Sequence, residues 1–140
     1  MRILYTAEAL ATGDGRNGHA RTTDGKVDVD LSAPKALGGN GEGTNPEQLF
    51  AAGYAACFHS ALRLVGQQAK ANIDDSAVGA KVGIGPNDAG GFGLTVTLEV
   101  SLPHLSRQDA QELADKAHQV CPYSNATRGN IEVEVLVAED

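Results

Sequence analysis

One stretch of the sequence decides the fold: Asn45-Pro46-Glu47-Gln48-Leu49-Phe50-Ala51-Ala52-Gly53-Tyr54-Ala55-Ala56-Cys57-Phe58, whose apolar pattern continues to Val65. Asn45 suits a helix N-cap, Pro46 suits the first helical position, and Gln48 can close a capping box. From Leu49 to Val65 the stretch is apolar nearly all round, and a helix with that pattern is buried on most faces. We therefore predict a buried central helix.

Strand patterns flank this helix on both sides. The dipeptides Asn17-Gly18 and Asp24-Gly25 favour tight hairpins between short strands. Ser106 with Asp109 resembles the capping box of a second helix that ends near Gln119. Strands are predicted near residues 2–12, 19–23, 26–32, 76–84, 91–102 and 131–137, and one further helical turn near residues 121–124. The pattern predicts a single α+β domain over residues 1–140, with largely antiparallel sheet around the central helix.

The composition excludes some classes of partner. The chain has 140 residues with 11 Lys+Arg and 18 Asp+Glu, a formal net charge of −7. That charge repels a polyanion, so we expect no nucleic-acid partner. No apolar run comes near the roughly 20 residues of a membrane span, and no secretory signal is visible at the start. We therefore expect a cytoplasmic protein without a membrane partner.

The chain has two cysteines, Cys57 and Cys121. In the cytoplasm, paired cysteines are more often redox-active or metal-binding than structural. Cys57 lies in an apolar helix, where a lone cysteine is typical of a protein core. A zinc site with His59 and His118 is an alternative, although the spacings match no strong zinc pattern. The sequence alone does not show whether the two thiols pair.

Two charged residues, Arg16 and Glu47, have ordinary explanations when each is taken alone. Arg16 sits at the tip of a predicted turn, where a side chain is usually solvated. Glu47 falls in the first turn of the predicted helix, where the helix dipole favours a carboxylate. Neither residue points to a site from its own surroundings.

Two long motifs resemble a known family. The stretch from Asn45 to Phe58 and a second stretch, Ala117-His118-Gln119-Val120-Cys121-Pro122-Tyr123-Ser124-Asn125-Ala126-Thr127-Arg128-Gly129-Asn130, resemble the organic hydroperoxide resistance (Ohr) proteins, a branch of the OsmC-like superfamily. Residues 5–7, 15–18 and 34–39 also fit, so the resemblance covers essentially the whole chain. It implies an OsmC-like fold and an intertwined homodimer with active sites at the subunit interface.

The resemblance also implies a chemistry. Ohr proteins are thiol peroxidases that reduce organic hydroperoxides, especially those of fatty acids, to alcohols. Cys57 then matches the peroxidatic cysteine and Cys121 the resolving one, Arg16 the active-site arginine and Glu47 its partner carboxylate. No bound cofactor or metal is expected, and a lipoylated protein would supply electrons through dihydrolipoamide. Three alternatives stay open: an OsmC-branch peroxidase with a different peroxide preference, a non-catalytic redox sensor, and a small metal-binding protein.

Helix geometry adds one hypothesis about the assembly. Glu47 and Cys57 are ten residues apart, which is about 15 Å along a straight helix. One Arg16 guanidinium does not readily reach both. We therefore hypothesise that Arg16 and Glu47 of one chain complete the site around Cys57 of the other, in agreement with the family's interface site.

Overall fold

The computed structural model describes residues 1–138, within which the chain forms six strands and three α-helices. Residues 1–49 form one compact unit, and the chain from Phe50 onward forms another. Each unit contains one three-stranded sheet. The α+β prediction is confirmed.

The first unit contains a small antiparallel sheet. Its strands are β1 (Ala9–Thr12), β2 (His19–Thr22) and β3 (Asp28–Asp30), in the order β1-β2-β3. Both predicted hairpins are present, because β1 pairs with β2 and β2 with β3. β1 is shorter than the predicted strand over residues 2–12, since its ladder with β2 spans only the four pairs from Ala9↔Thr22 to Thr12↔His19. Short 3-10 helices follow β1 at Gly15–Asn17 and β3 at Lys35–Leu37.

Helix α1 (Pro46–Gln68) begins where the sequence predicts and runs three residues past Val65. The Asn45 side chain accepts a hydrogen bond from the Gln48 backbone N–H at 2.9 Å, which confirms the N-cap. The Gln48 side chain instead accepts from the Thr44 hydroxyl at 2.8 Å, so it does not serve the predicted capping box. The buried residues of α1 are Tyr54, Phe58, Ala61, Leu62, Val65 and Gly66. The buried face of α1 is narrower than the sequence predicts, because Ala52, Ala56 and Ser60 form an exposed stripe along the helix.

By length and composition alone, α1 is long and apolar enough to cross a membrane. It is the one such helix within residues 1–138. The expectation from the sequence that no apolar run approaches this length is therefore wrong. Core helices of globular proteins pass the same test, and all the buried residues of α1 except Gly66 belong to the hydrophobic core of the second unit.

The second unit contains β4 (Ala77–Pro86), β5 (Phe92–Ser101) and β6 (Val133–Val137), in the order β4-β5-β6. β4 pairs antiparallel with β5, whereas β6 pairs parallel to β5. A parallel pair needs a long crossover, which here contains α2 (Arg107–Val120) and α3 (Pro122–Thr127). The Ser106 side chain accepts from the Asp109 backbone N–H at 3.1 Å, confirming the predicted cap of α2.

The core of the second unit joins α1, the sheet and α2. Tyr54 and Phe58 of α1, Leu98 and Val100 of β5, and Ala117 of α2 are all fully buried. Cys121 is fully buried in the same cluster, and the partly buried Cys57 packs against it. The packing of the core therefore fixes both cysteines.

Candidate active site

The two cysteines meet in the second unit. Cys57 lies in the middle of α1 and is half-buried, while Cys121 lies between α2 and α3 with no exposed surface. Both are free thiols, and their sulfur atoms are 3.7 Å apart. An S–S bond is about 2.05 Å long, so a small movement would join them. The structure thus brings together two residues separated by 64 positions.

The surroundings of Cys57 act on its thiol in opposite directions. Burial raises the pKa of the Cys57 thiol, and the neighbouring Cys121 raises it further, while the backbone N–H of Tyr123 lowers it. The first residues of a helix have backbone N–H groups without an intrahelical partner. Pro122 opens α3 and has no N–H, so Tyr123 supplies the first such donor of that helix. Burial is the largest of these influences, so the net effect of the surroundings within one chain is to raise the pKa of the Cys57 thiol.

Arg16 and Glu47 form a two-pronged ion pair in the first unit. The Arg16 Nη1 and Nη2 atoms donate to Glu47 Oε2 and Oε1 at 2.7 and 2.6 Å. The Arg16 side chain is 38% exposed and that of Glu47 13%. Their hydrogen bonds raise the pKa of Arg16 and hold the pKa of Glu47 below its usual range. Both side chains are thus charged near neutral pH, with the guanidinium in a fixed orientation.

An apolar cavity of about 500 Å³ lies next to the start of α3. Its lining includes Phe50, Leu94, Pro122, Tyr123 and Ile131. Phe50, Tyr54 and Tyr123 also form an aromatic cluster with ring centroids 5.5 to 6.0 Å apart. A cavity of this size suits an alkyl chain or a small apolar ligand. The sequence analysis did not assign these residues, although Tyr123 is two positions from Cys121.

Four polar side chains of the second unit are linked by hydrogen bonds, and all but His118 are buried. The Tyr54 hydroxyl is 2.8 Å from Ser124 Oγ and 3.1 Å from Thr127 Oγ1. Ser124 Oγ is in turn 2.7 Å from His118 Nδ1. This set of four residues, the hydroxyl network, also escaped the sequence analysis. The sequence feature that could have identified them is their position: Tyr54 lies one helical turn before Cys57, and Ser124 directly follows Tyr123.

Both histidines of the alternative zinc site have serine partners. His59 Nε2 is 2.9 Å from the Ser76 hydroxyl, and His118 is hydrogen-bonded to Ser124. Within residues 1–138, no three His, Cys, Asp or Glu side chains are grouped as metal ligands would be. The arrangement of the two thiols therefore suits thiol chemistry better than metal binding.

Comparison with known proteins identifies the family. The family model described as OsmC-like protein matches residues 39–136, so the chain belongs to the OsmC-like family. Within it, the chain is an Ohr-type protein. It is 52% identical over 139 residues to the organic hydroperoxide resistance protein of Xanthomonas axonopodis pv. citri (strain 306), covering 98% of this chain and 96% of that one.

Two further relatives agree. The organic hydroperoxide resistance protein OhrB of Bacillus subtilis (strain 168) is 47% identical over 132 residues, 94% of this chain and 96% of that protein. The crystal structure of an organic hydroperoxide resistance protein from Elizabethkingia anophelis superposes with a TM-score of 0.95 at 54% identity, and covers both chains completely. The predicted fold and family are confirmed.

Proposed function

We propose that this protein is a cysteine-based peroxidase that reduces organic hydroperoxides to alcohols and is recycled by a dithiol of the dihydrolipoamide type. The observation that carries the proposal is the 3.7 Å approach of two free thiols, one half-buried and one fully buried. The names of the relatives, which refer to resistance to organic hydroperoxides, support the substrate class.

The first step uses Cys57. Its thiolate attacks the terminal oxygen of the hydroperoxide, the O–O bond breaks, and the alkoxide leaves and takes up a proton to become the alcohol. Cys57 is now a sulfenic acid. The apolar cavity beside Tyr123 supports a preference for alkyl peroxides, because burial of an alkyl chain is favourable and hydrogen peroxide has none.

The second and third steps use Cys121. Its thiol attacks the Cys57 sulfenic sulfur, water leaves, and a disulfide forms before further oxidation of Cys57. A dithiol donor then exchanges with this disulfide in two steps, which return both cysteines as thiols and oxidise the donor to its own disulfide. Because Cys121 is already at 3.7 Å, the condensation needs little rearrangement.

Activation of Cys57 needs a cation, because burial by itself raises the pKa of the thiol. We assign this role to Arg16, with Glu47 fixing the orientation of the guanidinium. In this proposal the chain acts as a homodimer, and Arg16 and Glu47 of one subunit complete the site around Cys57 of the other. The ten-residue separation of Glu47 and Cys57 in the sequence is the basis of that assignment.

The test is a peroxide-consumption assay on the reduced protein with an alkyl hydroperoxide, with either dihydrolipoamide or thioredoxin as donor. We expect sustained turnover with dihydrolipoamide, none in Cys57→Ser, and a single turnover followed by over-oxidation of Cys57 in Cys121→Ser. Ala56→Ser is the matched control, because it adds a hydroxyl at an exposed position next to Cys57 and should keep full activity. Thiols that pair after one equivalent of peroxide without turnover would instead indicate a redox sensor.

A further inference from the structure

Arg16 lies in a tight turn of the first unit, the arginine turn (Gly15–Asn17), which connects β1 to β2. The Gly18 N–H closes the turn by donating to the Gly15 carbonyl at 3.0 Å. The backbone after the turn is closely packed, because a Cβ added at Gly18 would lie 2.2 Å from the carbonyl oxygen of Thr12. The path of the backbone around Arg16 is therefore set by close packing as well as by hydrogen bonds.

The arginine turn is attached to another part of the same unit, residues 31–33, which we call the bridging segment. The side-chain oxygen Oδ1 of Asn17 accepts a hydrogen bond from the Ala33 N–H at 3.1 Å. The carbonyl of Gly18 accepts another from the Leu31 N–H at 2.9 Å. The bridging segment thus holds the arginine turn by its last side chain and by the backbone that follows it.

The beginning of α1, which carries Glu47, is attached to the same bridging segment. The Ser32 hydroxyl accepts a hydrogen bond from the Gly43 N–H, and the Ser32 N–H donates to the Thr44 carbonyl at 3.0 Å. Thr44 directly precedes Asn45, the N-cap of α1, so these bonds fix the place where the helix begins. Ser32 and Asn45 are 6% and 7% exposed, so this attachment is buried.

The two partners of the ion pair therefore have a common support. Arg16 and Glu47 meet through two parallel N–H···O bonds of 2.7 and 2.6 Å. A two-pronged pair of this kind requires a specific geometry, because both bonds must be aligned at the same time. The bridging segment sets the relative position of the two backbones, since both are hydrogen-bonded to it.

We propose that Asn17 and Ser32 are positioning residues, which hold the two partners of the ion pair in register through the bridging segment. Asn17 acts through Arg16, and Ser32 acts through Glu47. The inference rests on the proposed function, because this ion pair is the one to which we assign the activation of Cys57. Asn17 is itself exposed, so its replacement leaves the buried part of the unit intact.

The experiment follows the pKa of Glu47 and uses no peroxide. The hydrogen bonds from Arg16 lower that pKa, so it reports whether the guanidinium is in place. Protein with isotope-labelled glutamate carboxyl groups is titrated by NMR, and the Glu47 signal is identified by its absence in Glu47→Gln. In Asn17→Ala and in Ser32→Ala we expect the Glu47 pKa to rise. A variant that lost only stability would keep the Glu47 pKa of the folded wild-type protein.

A double variant tests whether Asn17 acts through the arginine. Arg16→Ala should raise the Glu47 pKa at least as much as Asn17→Ala does. Arg16→Ala combined with Asn17→Ala should give no further rise, because residues that act through one another have non-additive effects. A further rise in the double variant would overturn the inference.

Asn40→Ala is the matched control. The Asn40 Oδ1 accepts from the Glu42 N–H at 2.9 Å, so the variant removes the same kind of hydrogen bond from the same unit. It should leave the Glu47 pKa unchanged. An unchanged Glu47 pKa in folded Asn17→Ala would overturn the inference, and this variant decides the matter if Ser32→Ala does not fold.

Peroxide consumption separates the inference from the proposed function. Asn17→Ala should consume an alkyl hydroperoxide about tenfold more slowly than wild type, because a small misplacement of an activating group is costly to the rate. Asn40→Ala should keep the wild-type rate. A raised Glu47 pKa with an unchanged rate would support the positioning of the pair and overturn the role of Arg16 in the proposed function. Wild-type protein that consumes no peroxide would overturn the proposed function and leave the NMR result standing.

Discussion

At the scale of single residues, two chemically identical thiols differ in their surroundings. Cys57 is half-buried on α1, whereas Cys121 is enclosed in the core. A reagent from solvent therefore meets Cys57 first. The difference in exposure between the two thiols fits the proposed order of steps, in which Cys57 reacts with the peroxide and Cys121 then forms the disulfide.

Glu47→Gln tests the ion pair with Arg16 through its pH dependence. Because the pKa of Glu47 is lowered in the folded state, its stabilising effect is complete above its ordinary value of about 4.5. The effect is lost as the pH falls below that value and through the lowered pKa. Urea unfolding should show a loss of about 0.5–1 kcal/mol in the variant near pH 7, since Arg16 is partly exposed to solvent. The difference from wild type should shrink below pH 4.5.

Glu42→Gln is the control for this measurement, since Glu42 is an exposed carboxylate on the same unit. It should leave the unfolding free energy close to the wild-type value across the pH series. A Glu47→Gln difference of equal size at neutral and acidic pH would contradict the role of the Arg16 pair.

The sequence predicted the residues of the candidate site better than their surroundings. The four residues Arg16, Glu47, Cys57 and Cys121 came from motifs in the resemblance, and the structure pairs Arg16 with Glu47 and Cys57 with Cys121. The contacts of Tyr54 and Ser124 did not come from the sequence, because tyrosine and serine occur in many roles. The two residues are 70 positions apart in the sequence, and they meet only because α1 packs against α3.

At the scale of secondary-structure elements, the fit of α1 against the loop after it depends on a glycine. A Cβ added at Gly66 would lie 2.5 Å from Ile73 Cγ2, and Ile73 is buried. Gly66→Ala should gain about 1 kcal/mol in helix propensity but lose more to overpacking. We expect a net loss of about 1 kcal/mol in the free energy of unfolding, measured by urea denaturation.

Gly79→Ala is the matched substitution, because a Cβ at Gly79 on β4 meets no atom within 4 Å. Its unfolding free energy should stay within about 0.5 kcal/mol of wild type. Equal effects of the two substitutions would show that the space beside Gly66 does not limit the packing of α1.

Element boundaries were predictable where local chemistry sets them. The starts of α1 and α2 follow from their caps, Asn45 and Ser106, and both are confirmed. The helix α1 continues past the apolar pattern, which stops at Val65, because Gln67 and Gln68 are polar and yet extend the helix in solvent. The predicted strand over residues 2–12 is paired with β2 only from Ala9, since strand length depends on a partner that the pattern does not specify.

At the scale of the whole molecule, the N-terminal segment exposes apolar side chains. Ile3, Leu4, Tyr5 and Leu10 are 62%, 82%, 79% and 69% exposed in the single chain. A contiguous exposed apolar segment is typical of a surface that another chain covers. This exposure supports the homodimer of the proposed function.

Subunit mixing tests whether the site is shared between chains. Arg16→Ala and Cys57→Ser should each be inactive as pure proteins. After the two are unfolded together and refolded, mixed dimers should regain activity, because the Cys57→Ser chain supplies Arg16 to the Cys57 of its partner. About a quarter of the wild-type rate is expected for random pairing in a two-fold dimer. No recovery, with mixed dimers shown by mass spectrometry, would place each site within one chain.

The parallel pairing of β5 with β6 affects how a new chain matures. Cys121 lies in the crossover between these strands, and β6 follows it in the chain. Pairing across so long a connection is slow to form, and it waits for the residues of β6 to leave the ribosome. We therefore expect Cys121 to be enclosed late in biosynthesis, when Cys57 has long been made. Oxidants present during translation would find an unprotected Cys121 that the finished protein conceals.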